Sequence, residues 1–512
     1  MENWTTIIGT NEGSSPYTEA DINQLLQVEQ TALSHGDTFT GRPGTTVHTN
    51  DHSVLKIRNE LRLDAVSAKK WAEHALQQEQ TRQLYHPHKT WFITTYTVKE
   101  KELVTVGNIC PRLTPLHTLL PSESTTTEER LKCLEQLFRL YFYAVKHLDI
   151  RLDEGLSNFG TTEDGKVYYL DDDIYTWDRF ISCGHSLGVY FRSSPWLDVN
   201  VAATLGQTIR KLILEYFDDA QYLMVLTEQL RDVFIPSSVQ PRLDSFVQNL
   251  QTQKQTEAIN SAKNHIIQAR YLAILADVHA NLPALEVTLN FLKLHDVKQG
   301  IVLGDIVGYG PHPSQCIERI QASQFITLKG NHDHGLATGH FQQGFSTNAA
   351  WVLQWSLSRV TEEQRAWLRE LPPVLHHEDW LAVHGAPIDP TFFNAYVYEM
   401  TYRSNLDIMQ RKNISLCFHG HTHQPNVYVR RGVVDNHFND KVIELAPFHH
   451  ALICPGSVGQ PRNRQPGAQF AVFDKKERIL YYHNLAYDLK GILKQMQEEG
   501  FPVNLMNMLK GN

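Results

Sequence analysis

Phe325-Ile326-Thr327-Leu328-Lys329-Gly330-Asn331-His332-Asp333-His334 is the stretch on which the reading of this 512-residue chain turns. It begins as a short apolar run of strand type, and Gly330 marks where that strand stops. An Asn, a His and an Asp then arrive together at the strand end, too close in sequence to disperse over a helix face. Alone the tetrad is weak, because turns often contain Gly-Asn. It gains force from four other strand-end clusters.

Tyr271-Leu272-Ala273-Ile274-Leu275-Ala276 is a continuous apolar run, as expected for a strand covered on both faces, and it ends at Asp277-Val278-His279-Ala280-Asn281. Gly300-Ile301-Val302-Leu303 runs into Gly304-Asp305, Trp380-Leu381-Ala382-Val383 into His384-Gly385, and Ser415-Leu416-Cys417-Phe418 into His419-Gly420-His421-Thr422-His423. In open α/β sheets that edge is where ligands bind. A carboxylate has two oxygens and can bridge two cations, a place that suits Asp305. Imidazoles and an amide oxygen make mixed N/O shells, favouring Mn, Fe or Zn over Ca or an all-oxygen Mg site. Each residue also has a plainer reading. Asp277 or Asp305 would be a helix cap, His384 a core histidine, and His421 and His423 a surface pair. Coincidence of all of them at five strand ends points instead to a two-metal site that cleaves phosphoesters.

D-x-H, G-D, G-N-H-D, H-G and G-H-T-H in this order resemble the calcineurin-like metallophosphoesterases, over roughly residues 271–486. The resemblance implies that Asp277, His279 and His423 hold one metal and Asn331, His384 and His421 a second, with Asp305 shared. It gives His332 the task of protonating the leaving oxygen or steadying the transition state, and Asp333 that of fixing the tautomer of His332. Gly304-Asp305-Ile306-Val307-Gly308-Tyr309-Gly310 lacks the arginine of the protein Ser/Thr phosphatases. The D-V-H-A-N start and Pro455-Gly456-Ser457-Val458-Gly459-Gln460-Pro461-Arg462 are similar to the prokaryotic phosphodiesterase-type branch. Asn281 and Arg462 are expected to face substrate there, Arg462 by pairing with a phosphate, with a solvated loop arginine as the alternative. Five extra histidines, His312, His334, His340, His449 and His450, read as rim or structural residues.

Apolar residues at 42% and charged ones at 20% place the chain among ordinary globular proteins, and the length favours several domains. A net charge of -9 argues against a main task of wrapping nucleic acid or anionic membrane, without excluding a local basic patch. Six scattered cysteines without a C-x-x-C pair, no signal-peptide pattern and no membrane-length apolar run predict reduced thiols and a cytoplasmic protein.

The first half has another pattern. Strand-like runs at 45–48, 53–57, 91–98 and 102–110, with a helix at 64–85, precede a long apolar helix at 127–147, the order of a sheet-rich lobe joined to a helical one. Asp153 and Asn158, then Asp171 after a hairpin turning at Glu163-Asp164-Gly165-Lys166, resemble the catalytic loop and metal-binding Asp of protein-kinase-like folds. The resemblance implies Asp153 as the acceptor of a hydroxyl proton, Asn158 and Asp171 on magnesium, Lys56 on ATP phosphates and Glu79 as its ion-pair partner. Asn108-Ile109-Cys110-Pro111 would be the hinge between lobes. No G-x-G-x-x-G precedes Lys56, with Gly41-Arg42-Pro43-Gly44 in its place. Arg151 stands where a His is usual, and Asp171-Asp172-Asp173 replaces D-F-G. Plainer readings make Lys56 a solvated strand residue, Asp153 and Asn158 turn formers, and Asp171 a strand-end cap.

The resulting expectation is a two-domain α/β (α+β) chain. A bilobal, divergent kinase-like domain occupies 1–235, a Gln/Asn-rich helical linker 236–270, and a four-layer αββα metallophosphoesterase sandwich 271–512. Its expected substrate is a phosphorylated small molecule, nucleotide or protein, with nucleic acid not favoured and no membrane partner. Two alternatives stand beside a phosphodiesterase regulated by its first half: a bifunctional kinase/phosphatase acting on a common target, and a scaffold with a pseudokinase docking domain.

Overall fold

The structure, a computed structural model, describes residues 4–28, 45–61, 63–98, 101–252, 255, 269–341, 344–378 and 380–510. The Gly41–Gly44 segment and most of 253–268 lie outside the described residues. No described helix is long and apolar enough to cross a membrane. All six cysteines are free thiols. The chain forms two compact units: Met1–Asp218 with Val225–Leu250, and Asp219–Met224 with Gln251–Asn512.

The first unit opens with a five-stranded antiparallel sheet in the spatial order Thr5–Thr10, Thr90–Val98, Lys101–Pro111, Ser53–Arg58, Thr45–Thr49. Asp64 starts the helix Ala65–Arg82 by accepting from the amides of Val66 and Ser67. That helix buries Ala68 and Ala72 on Trp91, Ile93, Val104 and Val106. Ile22 and Leu25, from the helix Glu19–Leu26, share a second cluster with Leu55, Ile57, Phe92 and Ile109. Helices dominate afterwards. Thr126 and Glu129 make a reciprocal cap on Thr127–Leu148, whose Leu134, Leu137, Phe138, Tyr141 and Phe142 are buried at helical spacing. Val199–Phe217 packs on Gln240–Leu250 so closely that a Cβ at Gly206 would press on the Phe246 carbonyl, so only glycine fits there.

The second unit is built on two six-stranded sheets. One runs Ile326–Thr327, Gly300–Val302, Tyr271–Leu275, Ala468–Asp474, Ile479–Leu485, Val442–Glu444, and the other Val374–His377, Trp380–Val383, Leu416–Phe418, His450–Cys454, Asn426–Arg431, Val434–Phe438. Alternate residues of each strand serve different layers. Leu272, Ile274, Ile301, Phe418, Val427 and Ile453 meet in one cluster drawn from both sheets. Ala273, Leu275 and Val302 turn instead to the helices Leu282–Leu294 and Pro313–Ser323, and Leu381, Val383 and Cys417 to Tyr402–Arg411. A strand with two buried faces reads as an unbroken apolar run, which is why these strands show no alternation. Truncating Ile274 to Ala would cost about 2–5 kcal/mol. The first three strands of one sheet are mutually parallel, as are Trp380–Val383, Leu416–Phe418 and His450–Cys454 of the other. Parallel strands present their ends at one edge, and the chain places its chemistry there.

Candidate metal centre

Every side chain that the strand-end motifs singled out as a ligand comes into one cluster. Asp277, His279 and His423 form one group able to hold a cation, and Asp305, His384 and His421 another. His279, Asp305 and His332 form a third, overlapping the first two. The Nε2 atoms of His279 and His423 stand 3.1 Å apart. His384 Nε2 lies 3.0 Å from both Asn331 Oδ1 and His421 Nδ1. Asp305 Oδ2 lies between the two sets, 3.7 Å from His279 Nε2 and 3.4 Å from His384 Nε2.

Backbone carbonyls decide which nitrogens are available. His279 Nδ1 donates to Val307 O, His384 Nδ1 to Leu303 O and His423 Nδ1 to Gln460 O, at 3.0, 2.7 and 2.7 Å. A neutral ring that donates through Nδ1 keeps a lone pair on Nε2, so His279 and His423 oppose two lone pairs, while His384 presents an Nε2 whose proton a cation displaces. Without a cation such opposed lone pairs repel. The donor set of imidazoles, carboxylates and one amide oxygen therefore fits divalent transition metals.

The loops carry strain to aim these groups. Asp277, His279, Asp305, His421 and His423 all have positive φ, between 47° and 67°. Each non-glycine residue held there costs about 1 kcal/mol or more, and such residues cluster at functional sites. Gly330 is required for a different reason, since a Cβ there would strike the Asp305 carboxylate.

Burial sets the electrostatics. It pushes the Asp277 carboxyl up to about 7 and the His332 imidazole down to about 4. His279, His421 and His423 are held well below their ordinary range by the same loss of solvent. Burial also pulls on His384, but the Asp305 carboxylate beside it reverses the effect and lifts it to about 9. Asp305 itself stays ionised despite burial, because His384 and His332 face it.

Asp333 departs from the expected role. Its oxygens accept from the amides of Gly330, Ile306 and Val307, at 3.0, 2.9 and 3.2 Å, while His332 Nδ1 has no hydrogen-bond partner among the described residues. It therefore ties the Asp305 loop to the start of the helix Asn331–Thr338 instead of setting the tautomer of His332. Asn281 also departs. Its carboxamide, buried, caps the next helix at Ala284 N and donates to Gly459 O and Tyr487 OH, a structural role away from the cavity lining. Arg462 does line the adjoining cavity of about 390 Å³, as do Asp305, Asn331, His332, His421 and His423. Tyr309, Phe345, Tyr396 and Met508 also line it, and of these only Tyr309 lies in a motif that the sequence singles out.

The first unit gathers most of its candidates differently from the expectation. Glu79 pairs with Lys89 at 2.6 Å and not with Lys56, and Lys89 also pairs with Asp172 at 2.6 Å. Lys56 Nζ donates to the carbonyl of Leu170 at 2.7 Å. Spacing along the chain suggested Lys56, but Lys89 is the lysine that the sheet buries beside the helix carrying Glu79. Lys56 and Lys89 together hold the buried Asp172 well below the usual carboxylate range, although burial alone would raise it. Burial raises Asp171, opposed by Lys56. Asp153 Oδ1 accepts from the Gly155 amide, and the Asn158 amide donates to Gly155 O, as turn formers do.

Residues 271–478 match the calcineurin-like phosphoesterase superfamily domain. An uncharacterised protein of Methanocaldococcus jannaschii is 29% identical over 235 residues, 45% of this chain and 93% of its own length. A crystal structure of a metallophosphoesterase from Sphaerobacter thermophilus is 32% identical, spanning 48% of this chain and 99% of that one, with a TM-score of 0.42. A hypothetical protein of Pyrococcus horikoshii OT3 is 22% identical over 47% of this chain and 98% of its own, with a TM-score of 0.40. The family match falls on the very strands whose ends carry the His/Asp cluster, and residues 271–478 of this chain are a calcineurin-like metallophosphoesterase domain.

Proposed function

We propose that the C-terminal half hydrolyses phosphoesters, phosphodiesters foremost, with two divalent cations, manganese first among them. The observation that carries this reading is the pair of imidazole sets on either side of Asp305. Asp277, His279 and His423 would hold one cation, Asn331, His384 and His421 the other, and Asp305 both. Cations bound there supply Lewis acidity to a phosphoryl oxygen and activate water near neutral pH.

The chain's own residues supply the rest. His332 is neutral at pH 7, because burial holds it at about 4. It therefore acts as an N–H donor that steadies charge on a phosphoryl or leaving oxygen, not as a stored proton. Its backbone amide donates to Asp305 Oδ1 at 2.8 Å, which fixes the ring relative to that carboxylate. Arg462 supplies a cation to the cavity for a second phosphate oxygen. The cavity suits a small substrate, near the lower end of the range for organic ligands.

A screen of manganese-loaded protein against monoesters, diesters, cyclic nucleotides and dinucleoside polyphosphates tests this. Diester turnover abolished by chelator is the expected outcome, and no metal-dependent turnover of any ester contradicts it.

A second reading, nucleotide binding and phosphoryl transfer by the first unit, is favoured by one observation: the Lys56 charge lowers both Asp171 and Asp172, and the Asp153 charge raises Asp171. In it the first unit selects substrates, regulates, or adds phosphate to the target that the second unit dephosphorylates. ATP binding lost in Asp171→Ala is expected, and no ATP binding by the parent protein rejects it.

A further inference from the structure

Three aromatic rings line the cavity, and each rests on an imidazole of the cluster. Tyr309 lies 4.6 Å from the ring of His279 and 4.7 Å from that of His332, and Phe345 meets His332 edge-on at 5.5 Å. Tyr396 stacks on His421 at 3.9 Å and 23° while leaving 41% of its surface open to solvent. The fourth apolar group is Met508, from the helix Val503–Leu509, which lies beyond residues 271–478.

That helix is held firmly. Leu505 and Leu509 are buried with Phe501, Ile492 and Met496 in a cluster that also contains Tyr309 and Ala349. Met508 itself is half-buried, and the Gln460 amide approaches its sulfur at 3.8 Å. Gln460 accepts from Arg462 at its side-chain oxygen (3.3 Å) and from His423 at its backbone oxygen (2.7 Å). One buried residue thus ties Met508 and the arginine, through its side chain, to an imidazole of the cluster, through its backbone.

Aromatic faces and a thioether are surfaces that flat rings prefer. Stacking on aromatic side chains is sequence-tolerant and strong, and sulfur packs well against ring edges. We propose that the cavity selects phosphoesters carrying a flat aromatic arm of nucleobase type beside the phosphorus, and that Met508 is a specificity-determining residue for that arm. This rests on the phosphoesterase reading and adds to it which substituent is chosen.

Phosphonates test it without any bond being cleaved. Binding of phenylphosphonate, cyclohexylphosphonate and methylphosphonate to the manganese-equilibrated full chain is measured by calorimetry. Phenylphosphonate should bind about tenfold or more tightly than methylphosphonate and clearly more tightly than the non-flat cyclohexyl compound. Met508→Ala and Tyr396→Ala should each lose several-fold of that preference, and Met508→Leu should keep most of it. Tyr396 is partly exposed, so its variant tests the wall even if the Met508 variants fold poorly. Equal affinities for the three compounds, binding of none, or a preference untouched by both alanine variants would overturn the proposal. Because phosphonates are not hydrolysed, equal affinities alongside metal-dependent ester turnover would remove ring selection alone, whereas absent turnover would remove the hydrolase reading.

Discussion

His279 and His423 face each other through their Nε2 atoms at 3.1 Å, while each donates its Nδ1 proton to a backbone carbonyl. Neither nitrogen has a proton to offer the other, so the pair is complete only around a cation. Parent protein should therefore gain thermal stability on adding manganese, about 3 kcal/mol at a hundredfold excess over Kd. His423→Ala should unfold close to the metal-free parent and lose most of that gain. A full manganese-induced shift in the variant would show that this pair binds no metal.

His332 is close enough to the cluster to act on substrate, and its loss removes none of the assigned ligands. His332→Ala should retain its manganese by elemental analysis while turnover falls about 10²–10³-fold. Unchanged rates would take away its role.

Asp333 serves three amides from two loops, so its contribution is to the shape of the site. Asp333→Ala leaves those buried donors without an acceptor and should lower unfolding free energy by about 3 kcal/mol in denaturant titrations, with metal affinity falling alongside. Retained stability with lost turnover would argue for a direct chemical role.

Metal binding should be strongly pH-dependent, with a sign fixed by the ligands. In the metal-free site His384 holds its proton up to about pH 9, and Asp277 up to about 7. A cation must displace both, so apparent affinity should rise with pH, about tenfold per unit for one displaced proton between 7 and 9 and more steeply below 7. Competition titrations with a metal indicator at pH 6, 7, 8 and 9 read this directly. A flat profile would mean that neither group is a ligand.

In the first unit the buried pairing of Lys89 with Glu79 and Asp172 predicts unequal costs for two lysines. Lys89→Ala strands two buried carboxylates and should cost about 3–5 kcal/mol. Lys56→Ala removes one bond to a carbonyl and a charge near Asp171 and Asp172 but leaves Asp172 paired with Lys89, so it should cost less, about 1–2 kcal/mol. The reverse order would restore Lys56 as the partner of Glu79.

What the sequence made legible was whatever local order decides. Buried parallel strands are continuous apolar runs, and the first polar residues after them lie at the sheet edge, so Asp277, Asp305, Asn331, His384, His421 and His423 could be found by reading each strand to its end. Asp333 was misread although its place was visible: an acidic residue at the third position of a helix commonly reaches back to the first amides, as it does here to Gly330. Asn281 followed by Leu-Pro likewise has the pattern of a helix cap. The choice of Lys89 over Lys56 was hidden because it depends on which strand the helix Ala65–Arg82 covers, a matter of pairing across the sheet. Phe345, Tyr396 and Met508 were hidden for a similar reason, being ordinary apolar residues on separate elements that only folding brings to one cavity.

Metal stoichiometry puts the central claim at greatest risk. Full-length protein equilibrated with manganese, dialysed and analysed by plasma mass spectrometry should hold about two ions per chain, and Asp305→Asn, which weakens the shared ligand, should hold fewer than one. Folded parent protein that retains none, or an Asp305→Asn variant that retains both, would contradict the account.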